Sequence, residues 1–182
     1  MKTFKTCLSL LAVAVVGTLI GCSTTSTKAA NVSDSIRSAL DQAGFKEVSA
    51  TQDRDKGVVT LGGHVARDSD KAQAESIARS LAGTQVVANQ IAVIPQGVES
   101  EARTVNSDLD KGIESNLDAA LIMGNLHDSV KYAVKNHVVT LTGQVDSPAK
   151  RDQAEQVAAA VPNVQQVVNV LQVKEQKATS TR

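Results

Sequence analysis

The stretch Val58-Val59-Thr60-Leu61-Gly62-Gly63-His64-Val65 returns eighty residues later as Val138-Val139-Thr140-Leu141-Thr142-Gly143-Gln144-Val145. The correspondence extends beyond this strand. Ala74, Glu75 and Ala78 match Ala154, Glu155 and Ala158, and Val87, Asn89 and Val93 match Val167, Asn169 and Val173. Upstream, Ile36 and Leu40 match Ile113 and Leu117 at a slightly shorter offset. This implies a small insertion in the second copy between its first helix and its first strand. Each copy spans about 65 residues, near the lower limit for a self-sufficient core. The chain therefore has to build two similar small domains rather than one large one.

The elements of each copy follow from apolar spacing. Val32, Ile36, Ala39, Leu40 and Ala43 trace one face of a helix, as do Leu109, Ile113, Leu117, Ala120 and Leu121. Val130, Tyr132 and Val134 alternate with Lys131, Ala133 and Lys135, as in a half-buried strand; the first-copy counterpart near Val48 and Ala50 is weaker. Asp53 to Gly57 and Lys135 to His137 read as hairpin turns. Val59, Leu61, Gly63 and Val65 then share one strand face, and the glycines suggest a bulge or a close approach. Ser147 and Pro148 open a second helix, with Ala154, Val157, Ala158 and Val161 as its stripe and Ala74, Ile77, Ala78 and Leu81 as the counterpart. Gly83 and Asn163 follow where a left-handed cap is wanted. Val87-Asn89-Ile91-Val93 and Val167-Asn169-Leu171-Val173 close the copies as strands. The fold class is α+β: two tandem α-β-β-α-β domains, each with two helices on one face of a small mixed three-stranded sheet.

Ahead of the repeat lies an address. Lys2 and Lys5 precede an apolar run from Leu8 to Ile20, too short to cross a bilayer comfortably and followed by small residues. The run ends in Leu19-Ile20-Gly21-Cys22. Removal of this leader takes Cys7 with it and leaves Cys22 as the single cysteine, so no disulfide framework exists. The expected boundaries are a leader over 1–21, a lipidated N-terminus and polar tether over 22–30, a first domain over 31–95, a linker over 96–106, a second domain over 107–174 and a disordered tail over 175–182.

The Val-Val-Thr-Leu-x-Gly-x-Val strands, the alanine-rich helices after them and the closing Val-x-Asn patterns at Val87 and Val167 resemble the BON-domain family, twice over. Leu19-Ile20-Gly21-Cys22 resembles a lipoprotein box, with cleavage between Gly21 and Cys22 and the Cys22 thiol as the lipidation site. Together they resemble the dual-BON lipoproteins of Gram-negative outer membranes, related to osmotically induced periplasmic BON proteins. The resemblance implies a protein held on the outer membrane by diacylglycerol and N-acyl lipid at Cys22, with no other cofactor. It implies a periplasm-facing role in envelope integrity, with the second domain binding anionic phospholipid. Asn163 departs from the family pattern, which has glycine there.

Composition excludes other classes. Charges balance in the whole chain, and losing Lys2 and Lys5 leaves a slight acidic excess, so no nucleic-acid partner is expected. Phe45 and Tyr132 are the only aromatics after the leader. His64, His127 and His137 lack the spacing of a metal-ligand set, and no metal site is expected. Asp70, Glu75, Asp152 and Glu155 fall on polar helix faces without an apolar pocket to split their pKa values, and no serine is placed as a nucleophile. The reading is of a non-enzyme. Asn89 and Asn169 read as structural amides that satisfy backbone near the end of the first helix.

One segment carries more apolar residues than a helix stripe needs. Leu121, Ile122, Met123 and Leu126 are expected to place some side chains on the surface, as a contact for lipid or for a partner. Lys131 and Lys135 lie nearby on one strand face, and Lys150 and Arg151 begin the second helix, all able to meet anionic headgroups. The alternative use of the same patch is contact with other envelope proteins, as in a chaperone-like stress protein indifferent to lipid.

Overall fold

The computed structural model describes residues 28–174. The leader, Gly21, Cys22 and the expected tail lie outside the described residues. The first copy is built from α1 (Ser33–Gln42), β1 (Val48–Asp53), β2 (Val58–Val65), α2 (Asp68–Ala82), β3 (Val86–Asn89) and β4 (Ala92–Val93). The second repeats the order with α3 (Glu99–Met123), β5 (Val130–Lys135), β6 (Val138–Val145), α4 (Pro148–Ala159), β7 (Gln166–Asn169) and β8 (Gln172–Val173). In each sheet the central strand pairs antiparallel with the first strand and parallel with the last, giving the orders β1-β2-β3 and β5-β6-β7. The closing strand of each copy is broken, and β4 and β8 pair with the far ends of β2 and β6.

The break has a local cause. Asn89 Oδ1 accepts from Ile91 N at 3.3 Å, pulling the chain out of register for one step, and Asn169 Oδ1 does the same for Leu171 N at 3.2 Å. The amide nitrogens reach the second helix of their copy. Asn89 Nδ2 donates to Glu75 at 2.8 Å and Lys71 O at 3.4 Å; Asn169 Nδ2 donates to Glu155 at 3.0 Å and Arg151 O at 3.1 Å. The structural role expected for these amides is present, but their partner is the second helix and not the first. That helix is the one which crosses the closing strand.

Val59, Leu61 and Val65 face the helices and join Ile36, Leu40, Ala74, Ala78 and Ala82 in the first core. Leu81, expected in the stripe, is exposed; Ala82 takes the buried position. Gly63 and Gly143 have φ of 92° and 120°, and a Cβ at either would run into the backbone oxygen of Glu47 or Ser129. Both glycines are therefore required by close approach as well as by φ. Ser147 Oγ caps α4 by accepting from Lys150 N at 3.3 Å, and Asn163 takes the left-handed cap conformation at φ 67°.

The first helix of the second copy differs from expectation. It begins at Glu99, so most of the stretch read as a polar linker is helical. Glu99 to Arg103 contain no helix breaker, and the glutamates in the first turn suit its positive end. The closing hydrogen bonds also fix a different alignment of the copies. Phe45 N donates to Leu40 O, and Leu126 N donates to Leu121 O, both at 2.9 Å. Leu40 thus corresponds to Leu121 and Ile36 to Leu117. The extra length of the second copy is mostly at the start of α3, not between helix and strand.

The second faces of the two sheets meet. Val58, Ala88, Val138 and Val168 are buried together with Val170 packed on them. Gln166 extends this junction as a clamp on the free edge of β3: Nε2 donates to Val87 O at 2.7 Å and Oε1 accepts from Asn89 N at 2.9 Å. Lys71 Nζ reaches Gln165 at 3.2 Å. Asp110, midway along α3, accepts from Asn136 N and His137 N at 2.8 Å each, and Asn136 Nδ2 donates to Gln90 O of the first domain at 2.7 Å. His137, in the turn, is half-buried here with Nε2 buried. The two copies form one packed body rather than beads on a linker.

Candidate functional site

Among the residues proposed for contact, the structure separates three groups. Leu121 and Leu126 are fully buried and belong to the second core. They are not surface residues: Leu121 lies on the inward stripe with Ile113 and Leu117, and the chain folds back after Asn125, at φ 53°, to tuck Leu126 under the helix end. Ile122 and Met123 are exposed, at 53% and 79%. Lys131 and Lys135 lie on the sheet face turned away from α3, because Val130, Tyr132 and Val134 alternate with them and face the core.

The exposed pair sits at the last turn of α3. Gly124 N donates to Ala120 O at 3.0 Å and Asn125 N to Ile122 O at 3.0 Å, which holds the turn. Gln153 Nε2 meets Gly124 O at 3.5 Å and brings α4 alongside. One turn earlier Asp118 accepts from Tyr132 Oη at 3.1 Å and lies 3.1 Å from His127 Nε2. Burial, and then the Asp118 carboxylate, push the Tyr132 phenol above its ordinary pKa. Lys150 and Lys174 both reach Asp146, at 3.2 and 3.1 Å, and the hydrogen bond from Lys174, followed by that from Lys150, holds the Asp146 carboxyl below the usual range. Lys150 and Arg151 are thus occupied by Asp146 and Asp152.

The first copy builds the same helix end with different chemistry. Ala43 N, Gly44 N and Phe45 N make the bonds made by Gly124 N, Asn125 N and Leu126 N. Under that alignment Ile122 and Met123 correspond to Asp41 and Gln42, both exposed. Two large apolar side chains replace two polar ones at a helix end whose backbone bonds match. Sequence comparison missed this because it aligned the helices one turn apart. The signal that would have found it is the pair of closing residues, Phe45 and Leu126, which fix the register from the helix end.

Among the described residues, no group of His, Cys, Asp and Glu is arranged to hold a metal ion, and no helix is long and apolar enough to cross a membrane.

The repeat has a known counterpart. The family model of the BON domain matches residues 28–95 and again 109–175. The chain belongs to the BON-domain family. The first match begins at residue 28, where the structure docks the chain onto the first domain: Ala29 N donates to Arg54 O at 2.9 Å, and Arg54 Nε returns to Ala29 O at 2.7 Å. Residues 28–30, read as the end of the tether, are therefore part of the first BON domain. The chain is 30% identical over 142 residues to osmotically-inducible protein Y of Escherichia coli (strain K12), covering 76% of this chain and 69% of that protein. Among solved structures it is similar to CdsD, a structural protein of the type III secretion system of Chlamydia trachomatis. The identity is 14%, the coverage 76% of this chain and 90% of that one, and the TM-score 0.35.

Proposed function

We propose that this BON protein is a lipid-anchored, periplasm-facing envelope protein that supports outer-membrane integrity, with its second domain meeting anionic phospholipid through Ile122 and Met123. The observation that carries the reading is the exposed Ile122–Met123 pair at a helix end where the first domain has Asp41 and Gln42. Adjacent exposed apolar residues at one end of a domain mark a contact surface. Leu19-Ile20-Gly21-Cys22 supplies the anchor in this reading, with acyl groups on Cys22 and the outer membrane as destination. The name of the Escherichia coli relative favours a part in the response to osmotic stress. The function needs no catalytic group.

Fully burying one large aliphatic side chain contributes roughly 1.5–3 kcal/mol. Two such side chains, partly inserted, give weak binding for a free protein. An anchor in the same leaflet raises the effective concentration and makes weak contact sufficient. Lys131 and Lys135 face away from α3 and would add to the field near an anionic surface rather than touch the same headgroups.

The test is vesicle cosedimentation of the full chain and of a variant in which the rim of the second domain is rewritten as that of the first, Ile122→Asp with Met123→Gln. The expected result is binding to anionic but not neutral vesicles, lost in the variant. Equal binding to both vesicle types, unchanged by the rewriting, refutes the reading. Crosslinking of the rim to envelope proteins, with no dependence on lipid, would assign the surface to protein contact instead.

A further inference from the structure

The two domains treat the outer edge of their first strand differently. The two-residue turn between Lys135 and Val138 makes these residues a mutually bonded pair, so Lys131, Ala133 and Lys135 direct their backbone groups at β6. Val130, Tyr132 and Val134 direct theirs outward. Val130 N is taken by Leu126 O at 2.9 Å. The N–H groups of Tyr132 and Val134, and the carbonyls of Val130, Tyr132 and Val134, have no partner among the described residues.

In the first domain the matching edge is partly occupied, by an arginine on one carbonyl and by the incoming chain held against the Gln52 side chain. Arg37 Nη2 donates to Ala50 O at 3.0 Å, and Val32 N donates to Gln52 Oε1 at 3.1 Å. The Ala29–Arg54 pair closes the far end. The helix-end alignment places Asp118 where Arg37 stands. A carboxylate cannot donate to a strand carbonyl, and Asp118 turns to the Tyr132 hydroxyl instead. A row of unpaired strand groups is a template for another strand.

The charges around the edge state what that strand should carry. Exposed on the sheet face away from the helices are Lys131 and Lys135, which have no ion-pair partner among the described residues, unlike Lys150 and Lys174 on Asp146. On the helix side are Glu114 and Asp118, close enough to act on Tyr132. A groove of about 610 Å³ opens at the hairpin end of the edge, lined by Glu114, Val134, Lys135, Arg103 and His64 among others. A second copy of this chain is a poor occupant. Antiparallel pairing of β5 with itself about Ala133 sets Lys131 against Lys135 twice, and like charges directly opposed are destabilising.

We propose that the outer edge of β5 receives an extended peptide from another protein, acidic opposite Lys131 and Lys135 and basic opposite Tyr132. Main-chain bonds to Tyr132 and Val134 supply affinity, and the alternating charges supply register and choice of partner. This surface is independent of the Ile122–Met123 rim.

The probe is a fluorescein-labelled peptide, Ser-Glu-Val-Thr-Lys-Glu-Ser, titrated into the full chain with anisotropy and amide NMR as readouts. Saturable binding is expected, with shift changes concentrated in β5 and slowed exchange of the Tyr132 and Val134 amides. Val134→Pro removes an outward N–H and should weaken binding about tenfold or more, the loss of roughly one hydrogen bond to a strand. Should that variant unfold, Lys131→Glu with Lys135→Glu serves instead: it should abolish binding of this probe and confer binding of a peptide with the glutamates replaced by lysines. Absence of binding, shift changes confined to other surfaces, or insensitivity to charge reversal overturns the proposal. Concentration-dependent dimerisation through β5 also overturns it, by making a second copy the occupant.

Discussion

Gln166 offers the sharpest test of how the two BON domains are joined. Its side chain spans the free edge of β3, bonded to Val87 O at 2.7 Å and Asn89 N at 2.9 Å, and both residues are buried. Gln166→Met keeps the volume and removes both partners. Leaving a buried donor or acceptor unmatched costs about 1–3 kcal/mol, and a value near 2 kcal/mol is about a 30-fold change in an equilibrium constant. Native-state hydrogen exchange at the Asn89 amide reads this directly, because opening of the clamp is the event that exposes it. The expected result is exchange about 30-fold faster in the variant. The protein supplies its own control. Val86 occupies the first-copy position equivalent to Gln166, so the outward Asn169 amide has no such clamp and should exchange quickly in both proteins. An Asn89 amide no better protected than that of Asn169, or one unaffected by Gln166→Met, would refute the clamp.

Further expectations follow from the placement of the apolar and titrating groups. Leu121→Ala should cost about 2–5 kcal/mol in urea unfolding as a core truncation, whereas Met123→Ala should change stability by less than about 0.5 kcal/mol; equal effects would contradict the division of this segment into core and rim. Ser147→Ala should lower stability by about 1 kcal/mol through loss of the α4 cap, measured in the same assay. Tyr132 is the single tyrosine and the chain has no tryptophan, so phenolate absorbance titrates it alone. Its folded pKa lies above the ordinary value of 10.0, first by burial and then by Asp118. Its contribution to stability is therefore complete below the unfolded pKa and is lost as pH rises through the folded one. Asp118→Asn should move the titration down towards the ordinary value without reaching it, since burial remains.

The strands were legible because a period of two with a repeat behind it leaves one solution. Val59, Leu61 and Val65 on the core face, and the glycines at Gly63 and Gly143, follow from the pattern alone. The register of α3 was not legible in the same way. Ile113, Leu117 and Leu121 recur every four residues, so matching Ile with Ile and Leu with Leu slides the helix by one turn at no apparent cost. Only the tertiary position of Leu126 against Leu121 resolves it. The junction between domains left a trace that periodicity arguments pass over. Val58 and Val138 precede core-facing valines, which makes both faces of the central strands apolar at one end. An alternating strand covered by helices needs only one such face. For the contact site, apolar excess in Leu121–Leu126 was visible, but which side chains absorb it depended on the turn at Asn125.

A single inserted tryptophan decides whether the second domain touches a bilayer where proposed, because the natural chain has none to obscure it. Met123→Trp and Gln42→Trp place the reporter at equivalent helix ends of the two BON domains. With anionic vesicles containing brominated lipid, emission from the Met123→Trp protein should shift to the blue and be quenched, while that from the Gln42→Trp protein should not change. Quenching at both positions or at neither would contradict the assignment of membrane contact to the Ile122–Met123 rim.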